Sequence, residues 1–216
     1  MNESSNSGFN TDNSICSKET INTSTSFEKD APVSENIKDY ILKSISKNLK
    51  EIINENIQNN QIKYIKNDLF FFSHVPEITL DDYLYRIYKN TKMNISSLII
   101  SIIYIDRFIQ FNRYILGMNN IHKILLSSCL LSIKFNEDIN YDAKYYSKVV
   151  GLPVYDLNNL EFYFYVKLQF KLFVDYDIYQ KYYEYFSKDN NIETKESESE
   201  KETKNNKNDK IRKTKG

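Results

Sequence analysis

From residue 37 onward, isoleucine and leucine recur at helical spacing. Ile37, Ile41, Ile45, Leu49, Ile52, Ile53 and Ile57 fall on one side, with Lys, Asn and Glu between them. The pattern predicts an amphipathic helix of roughly five or six turns that must dock on a larger body. A polar stretch then leads into Phe70-Phe71-Phe72-Ser73-His74-Val75-Pro76, too aromatic to be left in water. Thr79 and Asp82 have the form of a capping box, with Asp81 and Asp82 favourable in the first turn of a helix. Its inner stripe is Leu80, Tyr83, Leu84 and Ile87. Asn94 is the expected N-cap of the next helix, which carries Ile95, Leu98, Ile99, Ile102, Ile103, Asp106 and Ile109 on one side and stops before Gly117. A third begins at Asn119 or Asn120 and runs to about Phe135. Asp142 caps a short fourth that ends at Gly151, and Pro153 opens a fifth that reaches about Leu168. An amphipathic segment from Asp175 to Phe186 closes the series. The third helix is apolar nearly all round, through Ile124, Leu125, Leu126, Leu130, Leu131 and Ile133. It is therefore expected to be the buried hub, with Ser127, Ser128, Cys129 and Ser132 letting neighbours approach closely.

Composition supports an all-α fold. Four glycines and three prolines are too few for the turns of a sandwich or a doubly wound sheet. Residues 1–32 are rich in Asn, Ser, Thr and Glu and are expected to be disordered, as is the charged tail 187–216. The ordered part divides into an N-terminal amphipathic helix (33–67) and a compact body (68–186). No internal repeat is visible.

Charge removes one class of partner. The chain has 29 basic and 29 acidic residues, and 76–186 holds twelve of each, so no basic footprint for nucleic acid is present. Cys16 and Cys129 stand in unlike settings, as in a reduced intracellular protein. No secretory leader is visible, and the apolar run from Ile95 to Ile105 falls short of the ~20 residues a bilayer needs. The expectation is a protein of the cytoplasm and/or nucleus with no membrane partner. Lys210, Arg212, Lys213 and Lys215 read better as a solvated tail than as a nuclear import signal.

Catalytic constellations are thin. The glycines are isolated, so no phosphate loop exists, and His74 and His122 each lack a second ligand nearby in sequence. Cys129 sits among leucines as a small core residue. No catalytic residue, metal ligand or cofactor is expected. The informative positions are charges on apolar stripes. Asp106 continues Ile99, Ile102 and Ile103; Lys134 continues Leu130 and Leu131; Glu161 follows Leu157 and precedes Phe164. A charge against apolar surface costs several kcal/mol unless paired. Arg86, at the edge of its helix's stripe, is the expected internal partner of Asp106 in a structural ion pair. Lys134 and Glu161 either meet a second protein or snorkel into water, and periodicity leaves both open.

These residues resemble a cyclin box. Ile103-Tyr104-Ile105-Asp106-Arg107-Phe108 resembles the family's Tyr-(Ile/Leu)-Asp-Arg-(Phe/Leu) signature, and Ser132-Ile133-Lys134-Phe135 with Glu137 resembles the end of its third helix. Leu157-Asn158-Asn159-Leu160-Glu161 followed by Leu168-Gln169-Phe170 resembles its fifth helix and exit, and the spacings between blocks also match. The run from Pro76 to Ile87 is similar to the opening of the P-type or U-type branch. The resemblance implies a single five-helix cyclin box with an added N-terminal helix and a C-terminal helix. It further implies a non-enzymatic regulator that binds and activates a cyclin-dependent protein kinase by docking on its C-helix, as a heterodimer with no homo-oligomer implied. Lys134 and Glu161 would hold backbone near that helix, Leu131 and Phe170 would supply apolar contacts, and Glu137 would belong to the same interface. The alternative is a cyclin-fold scaffold or transcription-related adaptor that activates no kinase. Two departures stand out. The chain has no Trp and lacks the Met-Arg-Ala-Ile-Leu-x-x-Trp docking pattern, and the length after Phe186 leaves no room for a second such fold.

Overall fold

The computed structural model describes residues 34–59, 68–139 and 141–188, and their regular structure is entirely helical. The expected tails, 1–32 and all but the first two residues of 187–216, lie outside the described residues, as does 60–67. Among the described residues seven helices follow in order: α1 (Glu35–Gln58), α2 (Leu80–Thr91), α3 (Ile95–Asn112), α4 (Ile121–Asn136), α5 (Ala143–Val150), α6 (Val154–Lys167) and α7 (Tyr176–Ser187). This is the all-α architecture expected: five helices, α2 to α6, flanked by α1 before and α7 after.

Local chemistry sets the boundaries. Thr79 Oγ1 accepts from the Asp82 N–H at 3.1 Å and donates to Asp82 Oδ2 at 2.7 Å, closing the predicted cap of α2. Asp142 Oδ1 accepts from the Tyr145 N–H at 2.8 Å to start α5, and Gly151 ends it at φ 73°. Asn94 occupies the N-cap of α3, but its side chain does not cap. α3 also stops at Asn112, earlier than Gly117 suggests, because Arg113 turns left-handed at φ 49°.

The core is built on α3 and α4. Twelve of the sixteen residues of α4 are buried, which makes it the expected hub, and eleven of the eighteen in α3 join it. Small residues let the two helices close together: Ser132 Oγ donates to the Ser97 carbonyl at 2.7 Å, and Cys129 Sγ lies 3.5 Å from Ser101 Oγ. Burial pushes the Cys129 thiol up to about 12, so at neutral pH it is a small apolar residue and no nucleophile. By length and composition α3 qualifies as a membrane span, yet 61% of it is buried within the protein, as a core helix requires.

α1 lays Ile41, Leu42, Ile45, Leu49 and Ile53 on this body, while Ile37 and Ile57, the ends of its stripe, stay exposed. Ser46 and Lys50 both hold Asp81 of α2, and Asn56 Nδ2 donates to the Leu116 carbonyl at 3.0 Å. The aromatic segment is anchored too. The Phe72 N–H donates to the Asn119 carbonyl at 2.7 Å, and Lys123 Nζ, 4.2 Å from the Phe72 ring centre, donates to the Leu69 carbonyl at 3.0 Å.

His122 is a core residue with 2% exposure, its ring edge-on to Tyr83 at 5.0 Å and Nε2 3.3 Å from the Ile78 carbonyl. Burial holds its pKa below the ordinary 6.5. The unfolded chain therefore takes up this proton first as pH falls. The stability tied to a neutral His122 is complete above about pH 6.5 and declines as pH drops toward the depressed folded value. His122→Gln is expected to flatten that part of the stability profile, measured by urea unfolding at stepped pH. An unchanged slope would show that the ring is free to protonate in the fold.

Candidate protein-docking site

The two charges that continue apolar stripes meet each other. Lys134 lies in the last turn of α4, where a cation suits the helix C-terminus, and Glu161 lies in the middle of α6. Lys134 Nζ donates to Glu161 Oε2 at 2.5 Å. The Glu161 side chain keeps 13% exposure and Lys134 keeps 33%. The Glu161 side chain is thus mostly enclosed, whereas Lys134 keeps a third of its side chain in water. The pairing differs from the expectation that only a second protein or water would satisfy these groups.

Large exposed apolar side chains stand near the pair in sequence. Phe135 follows Lys134 and is 53% exposed, and Phe162 follows Glu161 and is 66% exposed. Val166, one turn beyond Phe162, is also exposed. Phe170 is 57% exposed and stands edge-on to Tyr165, one turn from Glu161, at 4.8 Å. Exposed apolar side chains on the two helices that carry the pair supply the materials of a protein-binding surface. Sequence reasoning misses Phe135, Phe162 and Val166. The signal for Phe162 and Val166 exists, since both lie opposite the stripe Leu157, Leu160, Phe164 and Leu168.

The remaining expected residues separate. Leu131 is buried at 7% exposure, with little surface to offer. Glu137 is engaged elsewhere. Its Oε1 accepts from the Asn94 N–H at 2.8 Å, so a carboxylate from the end of α4 satisfies the N-cap residue's own N–H, the task of the acid at the third position in a capping box. That contact gives Glu137 a structural role within the fold.

The expected Arg86–Asp106 ion pair is absent among the described residues. Arg86 is exposed, and its Nε donates to the Val149 carbonyl at 3.1 Å, tying α2 to α5. Asp106 instead accepts from Tyr182 OH at 2.6 Å. Burial pushes the Asp106 carboxyl up and the Tyr182 bond partly offsets this, so α7 supplies the partner expected from α2. A raised carboxyl pKa contributes stability that is complete below the unfolded value near 3.8 and is lost as pH rises through the raised folded one. Asp106→Asn, which keeps an acceptor for Tyr182 without the charge, is therefore expected to be neutral or stabilising at pH 7. Tyr182→Phe strands the carboxylate and is expected to cost about 1.5–3 kcal/mol. Denaturant titration of both variants checks this, and a stabilising Tyr182→Phe would refute it.

Among the described residues no group of three or more His, Cys, Asp or Glu could hold a metal. What remains is a helical module that carries one inter-helix charged pair and several exposed apolar side chains, a candidate docking face on an α-helical scaffold. A family model described as cyclin matches residues 4–172, and the chain belongs to the cyclin family. It is 35% identical over 130 residues to Cyclin-U2-1 of Arabidopsis thaliana, across 60% of this chain and 59% of that protein. Over 122 residues it is 34% identical to PHO85 cyclin-like protein psl1 of Schizosaccharomyces pombe, across 55% of this chain and 50% of the relative. It is 25% identical over 143 residues to Cyclin-P3-1 of Oryza sativa, across 66% of this chain and 58% of the relative. The chain thus spans only about half to three fifths of these relatives' lengths.

Proposed function

We propose that this cyclin binds and activates a cyclin-dependent protein kinase, with the Lys134–Glu161 pair and Phe170 seated against the kinase's mobile C-helix. The observation that carries the reading is the pair itself: an enclosed carboxylate holding a lysine that keeps a third of its side chain in water, on helices that also expose Phe135 and Phe162. Lys134 can donate to backbone carbonyls at a helix end, and Phe170 can fill an apolar notch between helical turns. The name of the psl1 relative, a PHO85 cyclin-like protein, supports a kinase-linked role.

The mechanism is a shift of population. A kinase is competent only when its lysine–glutamate pair and metal-binding loop are both in place. A partner that binds only that arrangement raises its share, and moving it from 1:99 to 99:1 requires about 10⁴-fold preferential binding. The cyclin contributes binding energy, and the reacting groups belong to the kinase. To test this, the tagged full-length chain is recovered from cells and assayed for phosphorylation of a generic basic substrate. Kinase activity well above that of an empty-tag control is expected. Recovery of the chain with no associated activity would favour the scaffold alternative.

A further inference from the structure

Two consecutive residues after α6, Gln169 and Phe170, adopt the left-handed region at φ 55° and φ 60°. Neither is glycine, the residue that occupies this region freely. Phe170 therefore combines a disfavoured backbone with a ring left largely in water, two features that folding alone would remove. Such strain persists where the surroundings over-determine it, and it gathers at functional sites.

The surroundings here come from α3. Arg107 Nη1 donates to the Lys171 carbonyl at 3.0 Å and to the Phe173 carbonyl at 2.8 Å. Tyr104 OH, on a fully buried ring, donates to the Leu172 carbonyl at 2.8 Å. Asn112 Nδ2 donates to the Lys167 carbonyl at 3.2 Å. Four carbonyls on both sides of the turn are therefore gripped from one helix. Within the turn, the Phe170 N–H reaches back to the Tyr165 carbonyl at 3.3 Å. Leu168, Leu172 and Val174 point into the core, which leaves Phe170 and Phe173 facing outward.

We propose that Tyr104, Arg107 and Asn112 are positioning residues that lock the left-handed turn, so that Phe170 meets the kinase helix as a preformed anchor. The proposal rests on the kinase-docking reading for its partner, while the lock is a property of the free chain. Fixing the ring during folding spares the ordering cost at the moment of binding. It also gives the Tyr104 to Arg107 block a role that reaches the docking face without touching the partner.

The test uses the full-length chain with its co-purified kinase and a double-mutant cycle. Phe170→Ala and Arg107→Ala are each expected to weaken kinase binding by about tenfold. Because Arg107 acts through the turn, the double variant is expected to bind no worse than Phe170→Ala alone. Multiplied effects would overturn the positioning role. Arg107→Lys, which retains one cationic donor, is expected to recover part of the affinity. Without any kinase, hydrogen exchange at the Phe170 and Leu172 amides is expected to quicken in Arg107→Ala while α4 amides keep their protection. Unchanged exchange would overturn the lock whatever the kinase does. A wild-type chain that binds no kinase would overturn the partner and leave the lock to the exchange result. Should Arg107→Ala fail to fold, Tyr104→Phe removes a single donor from the same grip and carries both measurements.

Discussion

Replacing Lys134 and Glu161 together by alanine is expected to abolish recovery of kinase activity with the chain, a loss of at least about a hundredfold. Stability is expected to change by under about 1 kcal/mol, because the bridge joins a side chain that keeps a third of its surface in water and both charges leave together. The single Lys134→Ala variant should be the less stable one, by about 1–2 kcal/mol, since it leaves the enclosed Glu161 carboxylate without its partner. That inversion, a double variant milder than a single, marks a pair whose structural value is small next to its recognition value. The exchanged pair Lys134→Glu with Glu161→Lys sharpens the test. It preserves an intramolecular bridge, losing only the small preference of the α4 C-terminus for a cation, but presents a carboxylate where the kinase reading calls for a donor. Full kinase recovery with either two-residue variant would remove the pair from the docking site.

Helix positions are legible in the sequence because each depends on near neighbours. Thr79 with Asp82, Asp142 with Tyr145, and Gly151 are local devices, and the encircling apolar residues of α4 announce its burial whatever surrounds it. Partners across helices are less legible, for a physical reason. Periodicity gives the side of a helix a residue occupies but not the rotation of the neighbour it meets. The stripe places Asp106 inward, yet its partner Tyr182 lies 76 residues away on α7, and Arg86 turns to the Val149 carbonyl instead. Glu137 lies in a motif that suggests recognition, and only packing reveals the bare N–H of Asn94 within its reach. The same gap hides the union of Lys134 with Glu161: each stands out on its own stripe, but two separate helices must dock before one can answer the other. The left-handed turn at Gln169 and Phe170 is hidden more deeply. Neither residue type signals positive φ, and the groups that hold it come from α3, some sixty residues earlier in the chain.

Phe70→Ala is expected to be the most damaging of these substitutions to the fold, at about 3–5 kcal/mol. The side chain is fully buried and lies among four rings, two of them neighbours on α6. It is edge-on to Phe108 of α3 at 5.4 Å, edge-on to Phe164 of α6 at 6.0 Å, 5.4 Å from Tyr163 of α6, and 6.3 Å from Tyr114. Phe108 and Phe164 also stack directly at 5.0 Å, so rigid rings on two helices line the space. Rings held by their own helices cannot collapse inward as flexible side chains would, and the cavity left by alanine stays largely open. Relief by movement of the segment is limited as well. The Phe70 N–H is held by Asp68 Oδ1 at 3.0 Å, Asp68 also bonds Tyr114 OH, and two residues on, Phe72 is fixed to Asn119. Phe70→Leu, which fills part of the volume without edge-to-face contacts, is expected to cost less than half as much. The consequence extends to the docking face. Phe164 and Tyr163 belong to the helix that carries Glu161, and slack beneath them loosens α6 against α4, where Lys134 waits. Below its lowered melting temperature, Phe70→Ala should therefore bind kinase more weakly than wild type although no docking residue has changed. Denaturant unfolding gives the first quantity and the kinase titration the second. A loss under about 1 kcal/mol would mean that the aromatic segment only decorates the core and does not hold α3 and α6 together.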